Sequence, residues 1–224
     1  MTPTQKTIRN SKASRYAAEI VRRSRQEYSE AECELVWETP LQLLVATILS
    51  AQCTDVRVNI VTKALFRKYS TPQDYLKVRE EELQNDIRTT GFFRNKARSI
   101  RGACRKILDE FEGEVPQTME EILRLPGVAR KTGNVVLGTA FGIASGVVVD
   151  THIGRVSYRL GLTRETAPVK IERDLMKVLP PQDWIFAGHA IIWHGRRVCF
   201  ARKPKCSACV LQDICPKRGV KKMA

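Results

Sequence analysis

The sequence predicts an all-α protein, and three observations predict it. Signals for helix starts recur along the chain, apolar residues return at three- and four-residue spacing between them, and only Val147-Val148-Val149 reads as a strand. So short and isolated a run builds no sheet. It is expected to be a buried linker between two helical layers.

Taken in order, the first clear start is Thr39-Pro40-Leu41-Gln42, with Thr39 as N-cap, Pro40 at the first helical position and Gln42 at the capping-box position. Thr71 repeats the device, and Thr118 with Glu121 supplies a third. Amphipathic helices are expected near 55–68, 96–111, 168–179 and 183–193, the second marked by Ile100, Ala103, Cys104, Ile107, Leu108 and Phe111. Residues 118–125 read as a short helix and Pro126-Gly127 as a tight turn. A second helix over 128–140 follows, with Thr132, Val135, Val136, Thr139 and Ala140 on its inner side. The last residues, 217–224, read as a loose basic tail.

A chain of 224 residues forms one large domain or two small ones. Its 38 Lys and Arg against 24 Asp and Glu give a formal charge of +14, which points to a polyanionic partner, nucleic acid ahead of an anionic membrane. No apolar run approaches the roughly 20 residues that span a bilayer. The protein is expected to be soluble and intracellular, in the cytoplasm or nucleoid if bacterial, with no membrane partner.

Of seven cysteines, Cys33, Cys53 and Cys104 are scattered through expected helices, whereas Cys199, Cys206, Cys209 and Cys215 form C-x6-C-x2-C-x5-C. An odd total without a secretory signal suits a reducing compartment, so these four read as ligands of a metal or cluster rather than as a disulfide framework. The spacing alone leaves zinc and iron–sulfur both open, because structural zinc usually has two short cysteine pairs and one is present here. Pinning the loop between the first two ligands would hold Arg202, Lys203 and Lys205 out as a basic projection suited to a DNA backbone.

The stretch LPGVARKTG, Leu125–Gly133, puts Arg130 and Lys131 in the first turn of a helix, where the backbone already carries partial positive charge. Such a turn is a seat for phosphate. Lys131 is either a solvated phosphate contact or a nucleophile. Keeping its amine neutral at pH 7 costs about 4.6 kcal/mol from a reference pKa near 10.4, and the helix start, Arg130 and partial burial would all disfavour the ammonium form. An amine so placed attacks a sugar carbon if a carboxylate takes up a proton and steadies the charge growing on the sugar. Asp150 is the candidate. The helix carries the chain ~18 Å away, and residues 141–149 span up to about 30 Å back, so contact is permitted. Asp150 also reads as an N-cap for the helix bearing Ile153, Val156 and Leu160, and the two roles are compatible.

Together the motifs LSAQCTD, TTGFFRNKA, LPGVARKTGNVV, VVDTHIGRV and the cysteine spacing resemble the endonuclease III family of DNA glycosylases, within the helix-hairpin-helix superfamily, from about residue 15 to 218. The resemblance implies a six-helix barrel over 33–143, a cluster domain built from 15–32 and 144–224 that carries a [4Fe-4S] cluster, and a basic tail over 1–14. It implies Lys131 as the Schiff-base nucleophile and Asp150 as its carboxylate partner. Gln52 then fills the gap left by an extruded nucleotide, Phe92 is a wedge against the opposite strand, and His152 lies near the pocket. Gly127, Ala129 and Arg130 belong to the DNA-binding hairpin. Two departures stand out: Ala129 replaces a usual glycine, tolerable if its φ is negative, and Gly133 replaces a usual alanine.

The function so implied is a monomeric, bifunctional glycosylase and abasic-site lyase of base excision repair, removing damaged, oxidised pyrimidines from double-stranded DNA and cleaving by β-elimination. The alternatives are the same chemistry on mismatched bases or pyrimidine dimers, and a non-catalytic, cluster-stabilised DNA-binding module.

Overall fold

The structure, a computed structural model, describes residues 11–224, and every regular element among them is helical. The helices are α1 Lys12–Glu27, α2 Pro40–Leu49, α3 Asp55–Lys68, α4 Pro72–Lys77, α5 Glu80–Asp86, α6 Phe93–Glu110, α7 Met119–Ile122, α8 Arg130–Phe141, α9 Thr151–Arg159, α10 Pro168–Val178 and α11 Trp184–Arg197. They fall into two compact units. One is Cys33–Ser145, and the other joins the chain up to Glu32 to Gly146–Ala224. Among the described residues no helix is long and apolar enough to cross a membrane. The expected basic tail lies outside the described residues over 1–10, and Lys12 to Ser14 belong to α1.

Threonine caps set most starts in the Cys33–Ser145 unit. The hydroxyls of Thr39, Thr54, Thr71 and Thr118 each accept the N–H three residues on. At Thr71 the box closes, since the Asp74 carboxylate accepts the Thr71 N–H at 2.9 Å. At Thr39 it does not: Gln42 Oε1 accepts from the Glu38 N–H at 2.7 Å instead. Helix α2 is buried along its whole length from Leu41 to Leu49, which explains a sequence apolar on every side rather than striped. It packs against α8, α3 and α6, and α6 packs in turn on α4 and α5. Leu43, Leu49, Leu65, Tyr75, Ile100 and Ile122 are among the fully buried side chains of this core.

In the other unit α11 packs on α9 and α1, and α1 also meets α10, around Ala17, Ile20, Ile153, Leu175 and Ala187. Val147 and Val149 are buried in that core with no strand partner, as a linker. Residues 217–224 are not loose. The Arg218 N–H donates to Arg159 O at 3.2 Å and the Ala224 N–H to Pro204 O at 3.0 Å. Cys33 and Cys53 lie in loops rather than helices, Cys33 between α1 and α2 and Cys53 between the end of α2 at Leu49 and the start at Thr54; of the three scattered cysteines Cys104 is helical, buried in α6.

The hairpin turns at Gly127, whose φ is +79°. A Cβ there would stand 2.5 Å from Ser99 Cβ on α6, so both the conformation and the space demand glycine. The inner face of α8 differs from expectation: Gly133, Asn134, Val136, Leu137 and Gly138 are buried, and only Val136 is shared. Gly133 is the physical reason, since a Cβ on it would meet Met119 Sδ at 3.0 Å and Ile122 Cγ2 at 3.1 Å. The missing side chain lets α7 lie against α8 and turns that side of the helix inward. Gly127→Ala should lower stability by about 2–4 kcal/mol through left-handed strain and overlap with Ser99, read as a shift in the denaturation midpoint. An unchanged midpoint would contradict this account of the turn.

Candidate active site

Helix α8 starts at Arg130, two residues later than the pattern suggests, with Ala129 as N-cap at φ −98°, ψ 171°. That extended backbone suits any residue, so the methyl group in place of glycine introduces no strain. The methyl group of Ala129 offers no acceptor, so the first turn of α8 has no side-chain cap. Arg130 is half-buried and Lys131, the second residue of the helix, is exposed. Partial burial, which would have disfavoured the ammonium form of Lys131, is absent.

Asp150 is the N-cap of α9. Its Oδ1 accepts the Ile153 N–H at 2.8 Å, which fixes the carboxylate's orientation while Oδ2 makes no contact with that amide. One turn on, Arg155 ties α9 to the end of α11: Nη2 donates to Gly195 O at 2.9 Å and lies 3.2 Å from His152 Nδ1, and Nε donates to Cys199 O at 3.2 Å. His152 packs closely here, since a Cβ on Gly195 would fall 3.0 Å from its own. Half-buried, His152 is held by the framework around Asp150.

Gln52 and Phe92 share a property that their sequence context does not announce. Both are exposed, and both hold left-handed backbone conformations, at φ +52° and φ +49°. Phe92 is 61% exposed, which excludes a core role. Non-glycine residues adopt such conformations where the surroundings enforce them, and they cluster at functional sites.

The four cysteines of the C-terminal motif line one cavity, together with Val156, Leu160, His194, Val198 and Pro204. Among the described residues no three potential ligands converge on a single ion position; the sulfurs enclose a space rather than a point. That arrangement suits a multi-atom cluster better than a tetrahedral ion. Donors already face the sulfurs: the Leu211 N–H points to Cys209 Sγ at 3.4 Å, the Lys217 N–H to Cys215 Sγ at 3.3 Å and Arg159 Nη1 to Cys199 Sγ at 3.3 Å. Burial raises the Cys209 thiol to about 11, with the other three cysteines adding to the effect, and Cys215 is raised likewise. Four thiolates coexist here only beside compensating positive charge, which iron supplies. The donor set fits a [4Fe-4S] cluster held by Cys199, Cys206, Cys209 and Cys215.

Arg159 shapes the loop after the first ligand. Only 8% exposed, it donates to Phe200 O at 2.6 Å and Ala201 O at 2.9 Å as well as to Cys199. Pro204 is buried while Arg202, Lys203 and Lys205 are exposed. In the cavity wall, burial lowers His194 to about 4 and keeps it neutral; its Nδ1 is 2.9 Å from the Tyr28 hydroxyl and its Nε2 3.6 Å from Cys209 Sγ. Arg159, His194 and a further buried cation, Lys96, escape a motif search. Lys96 and Arg159 nonetheless leave a trace: each falls on the apolar stripe of its helix, beside Ala97 and Ile100 and beside Val156 and Leu160.

Comparison with known proteins agrees with this arrangement. Residues 45–181 match the HhH-GPD superfamily of base excision DNA repair proteins, and residues 199–215 match the iron–sulfur binding domain of endonuclease III. Endonuclease III of Synechocystis is 58% identical over 89% of this chain and 91% of its own length, and that of Bacillus subtilis is 48% identical over 84% and 86%. A solved endonuclease III–DNA covalent intermediate is 44% identical and superimposes with a TM-score of 0.86 over 91% of this chain and 96% of its own. The chain belongs to the endonuclease III family of the HhH-GPD superfamily of base excision DNA repair proteins.

Proposed function

We propose that this protein, acting as a single chain on duplex DNA, is a bifunctional glycosylase and abasic-site lyase for damaged, oxidised pyrimidines. The observation that carries the reading is Lys131, an exposed amine in an uncapped first helical turn that already carries Arg130. For a globular protein alone this placement is unfavourable. Beside the phosphates of an everted nucleotide it is useful, because the helix start holds the anion and the amine faces the sugar.

In the proposed mechanism the Lys131 Nζ lone pair forms a bond to C1′ of the damaged nucleotide while the glycosidic bond breaks and its electrons leave with the base. Asp150 offsets the positive charge developing on the sugar and accepts a proton from the attacking nitrogen. Ring opening, with the proton passed back from Asp150 to O4′, gives a protonated imine between Nζ and C1′. The imine acidifies C2′–H; loss of that proton expels the 3′ phosphate, and water then frees the lysine. Gln52 occupies the space that the nucleotide vacated and Phe92 presses on the opposite strand, which offsets part of the stacking lost on extrusion. Gly127, Ala129 and Arg130 seat the backbone phosphate, His152 supports the Asp150 side of the site, and Arg202, Lys203 and Lys205 contact backbone further along. The cluster, when bound, supplies iron–thiolate cross-links that hold residues 199–215 in shape.

Lys131→Ala should abolish strand cleavage at damaged-base and abasic sites. The variant should also melt no lower than the parent, because it removes a cation worth about 0.3–1 kcal/mol of unfavourable interaction from a helix start. Retained cleavage would contradict the reading. Asp150→Asn keeps the cap and should lower the single-turnover rate by about 10²–10⁴-fold, with little change in melting temperature; a rate within twofold of the parent would remove Asp150 from the mechanism. Arg159→Met leaves Phe200 O and Ala201 O without their donor, so the loop should loosen. DNA affinity should then fall about tenfold, equivalent to ~1.4 kcal/mol, with faster loss of the cluster's visible absorption; unchanged affinity and spectrum would contradict its shaping role.

A further inference from the structure

Lys96 is 5% exposed in the first turns of α6, and its ammonium meets backbone only: Nζ donates to Leu49 O at 2.7 Å and to Thr90 O at 2.8 Å. Leu49 is the last residue of α2, where helix carbonyls lack partners and carry partial negative charge. Thr90 closes the short 3-10 turn Arg88–Thr90. Beyond Leu49 the chain runs through Ser50 and Ala51 to Gln52, and beyond Thr90 it passes Gly91, at φ +71°, to Phe92. One buried cation thus holds the roots of two loops, each ending in an exposed, left-handed side chain.

We propose that Lys96 is a positioning residue for strand penetration, setting the spacing between the Gln52 and Phe92 loops so that both side chains enter the duplex as a pair. The proposal rests on the reading of those two residues given above. A lysine is a costly way to tie two loops if stability is the only gain, since an apolar side chain of similar length fills the same space without burying charge. Burial depresses the basicity of Lys96, and the nearby Cys53 thiol partly offsets this. The two carbonyls are what keep the ammonium in place. They also transmit its position, because each lies two or three residues from a side chain whose backbone is already constrained.

The test compares single-turnover cleavage of a damaged pyrimidine in a continuous duplex with cleavage of an abasic site inside a short unpaired bubble, which has no stacked gap to fill and no paired strand to wedge. Lys96→Met should lose about tenfold or more on the duplex and less than about twofold on the bubble. In a Gln52→Ala/Phe92→Ala background the same change should add less than about twofold on the duplex, as expected for residues acting as one unit. Equal losses on both substrates, an unaffected duplex rate, or a full further loss in that background overturns the proposal. If the parent cleaves neither substrate, the lyase reading fails and takes this proposal with it. Should Lys96→Met not fold, Lys96→Gln, which keeps amide donors at shorter reach, is put through the same comparison and read in the same way.

Discussion

A left-handed glycine pressed against α6 governs this molecule's chemistry. At Gly127 no Cβ fits, so the chain reverses tightly against Ser99 of α6 and starts α8 at Arg130. A start without a side-chain cap places the second helical residue, Lys131, exposed in the first turn. Gly133 serves the same end one turn on, since its missing side chain lets Met119 and Ile122 lie against α8 and fixes the helix's rotation. The amine's location is thus a consequence of two absent side chains.

The hairpin helix, like α5 and α6, starts without the side-chain cap that opens the other helices of its unit. Four helices in the same unit begin with a threonine that bonds the first turn, whereas α8 begins with alanine and then two cations. Each departure weakens the isolated helix and favours an anion at its end. The same pattern recurs at Gln52 and Phe92, where exposed residues with side chains adopt a conformation that suits glycine. Both features are local costs to stability borne at exposed positions.

Much of this was legible in the sequence because it depends on local chemistry. Thr39, Thr71 and Thr118 announce helix starts through their own hydroxyls, and the cysteine spacing announces a ligand set because four thiols have no packing reason to gather. Pro126-Gly127 likewise announces the turn, and Asp150 its cap. Features that depend on distant partners were not legible. The inner face of α8 is set by α7 rather than by its own apolar pattern, so the expected face was mostly wrong. Cys53 looked helical until the end of α2 was known. Lys131 is exposed, so partial burial, which would have disfavoured its ammonium form, is not among its surroundings. Lys96 and Arg159 bond backbone carbonyls far away in sequence, and nothing about either residue names those carbonyls; only their positions on apolar stripes hint that a buried charge has found partners.

The most direct test is to identify the nitrogen that becomes bonded to the sugar. Reaction with an abasic duplex in the presence of borohydride, followed by proteolysis and mass spectrometry, should find the reduced deoxyribose remnant on Lys131. A remnant on Lys96, on another lysine or on the terminal amine would contradict the account.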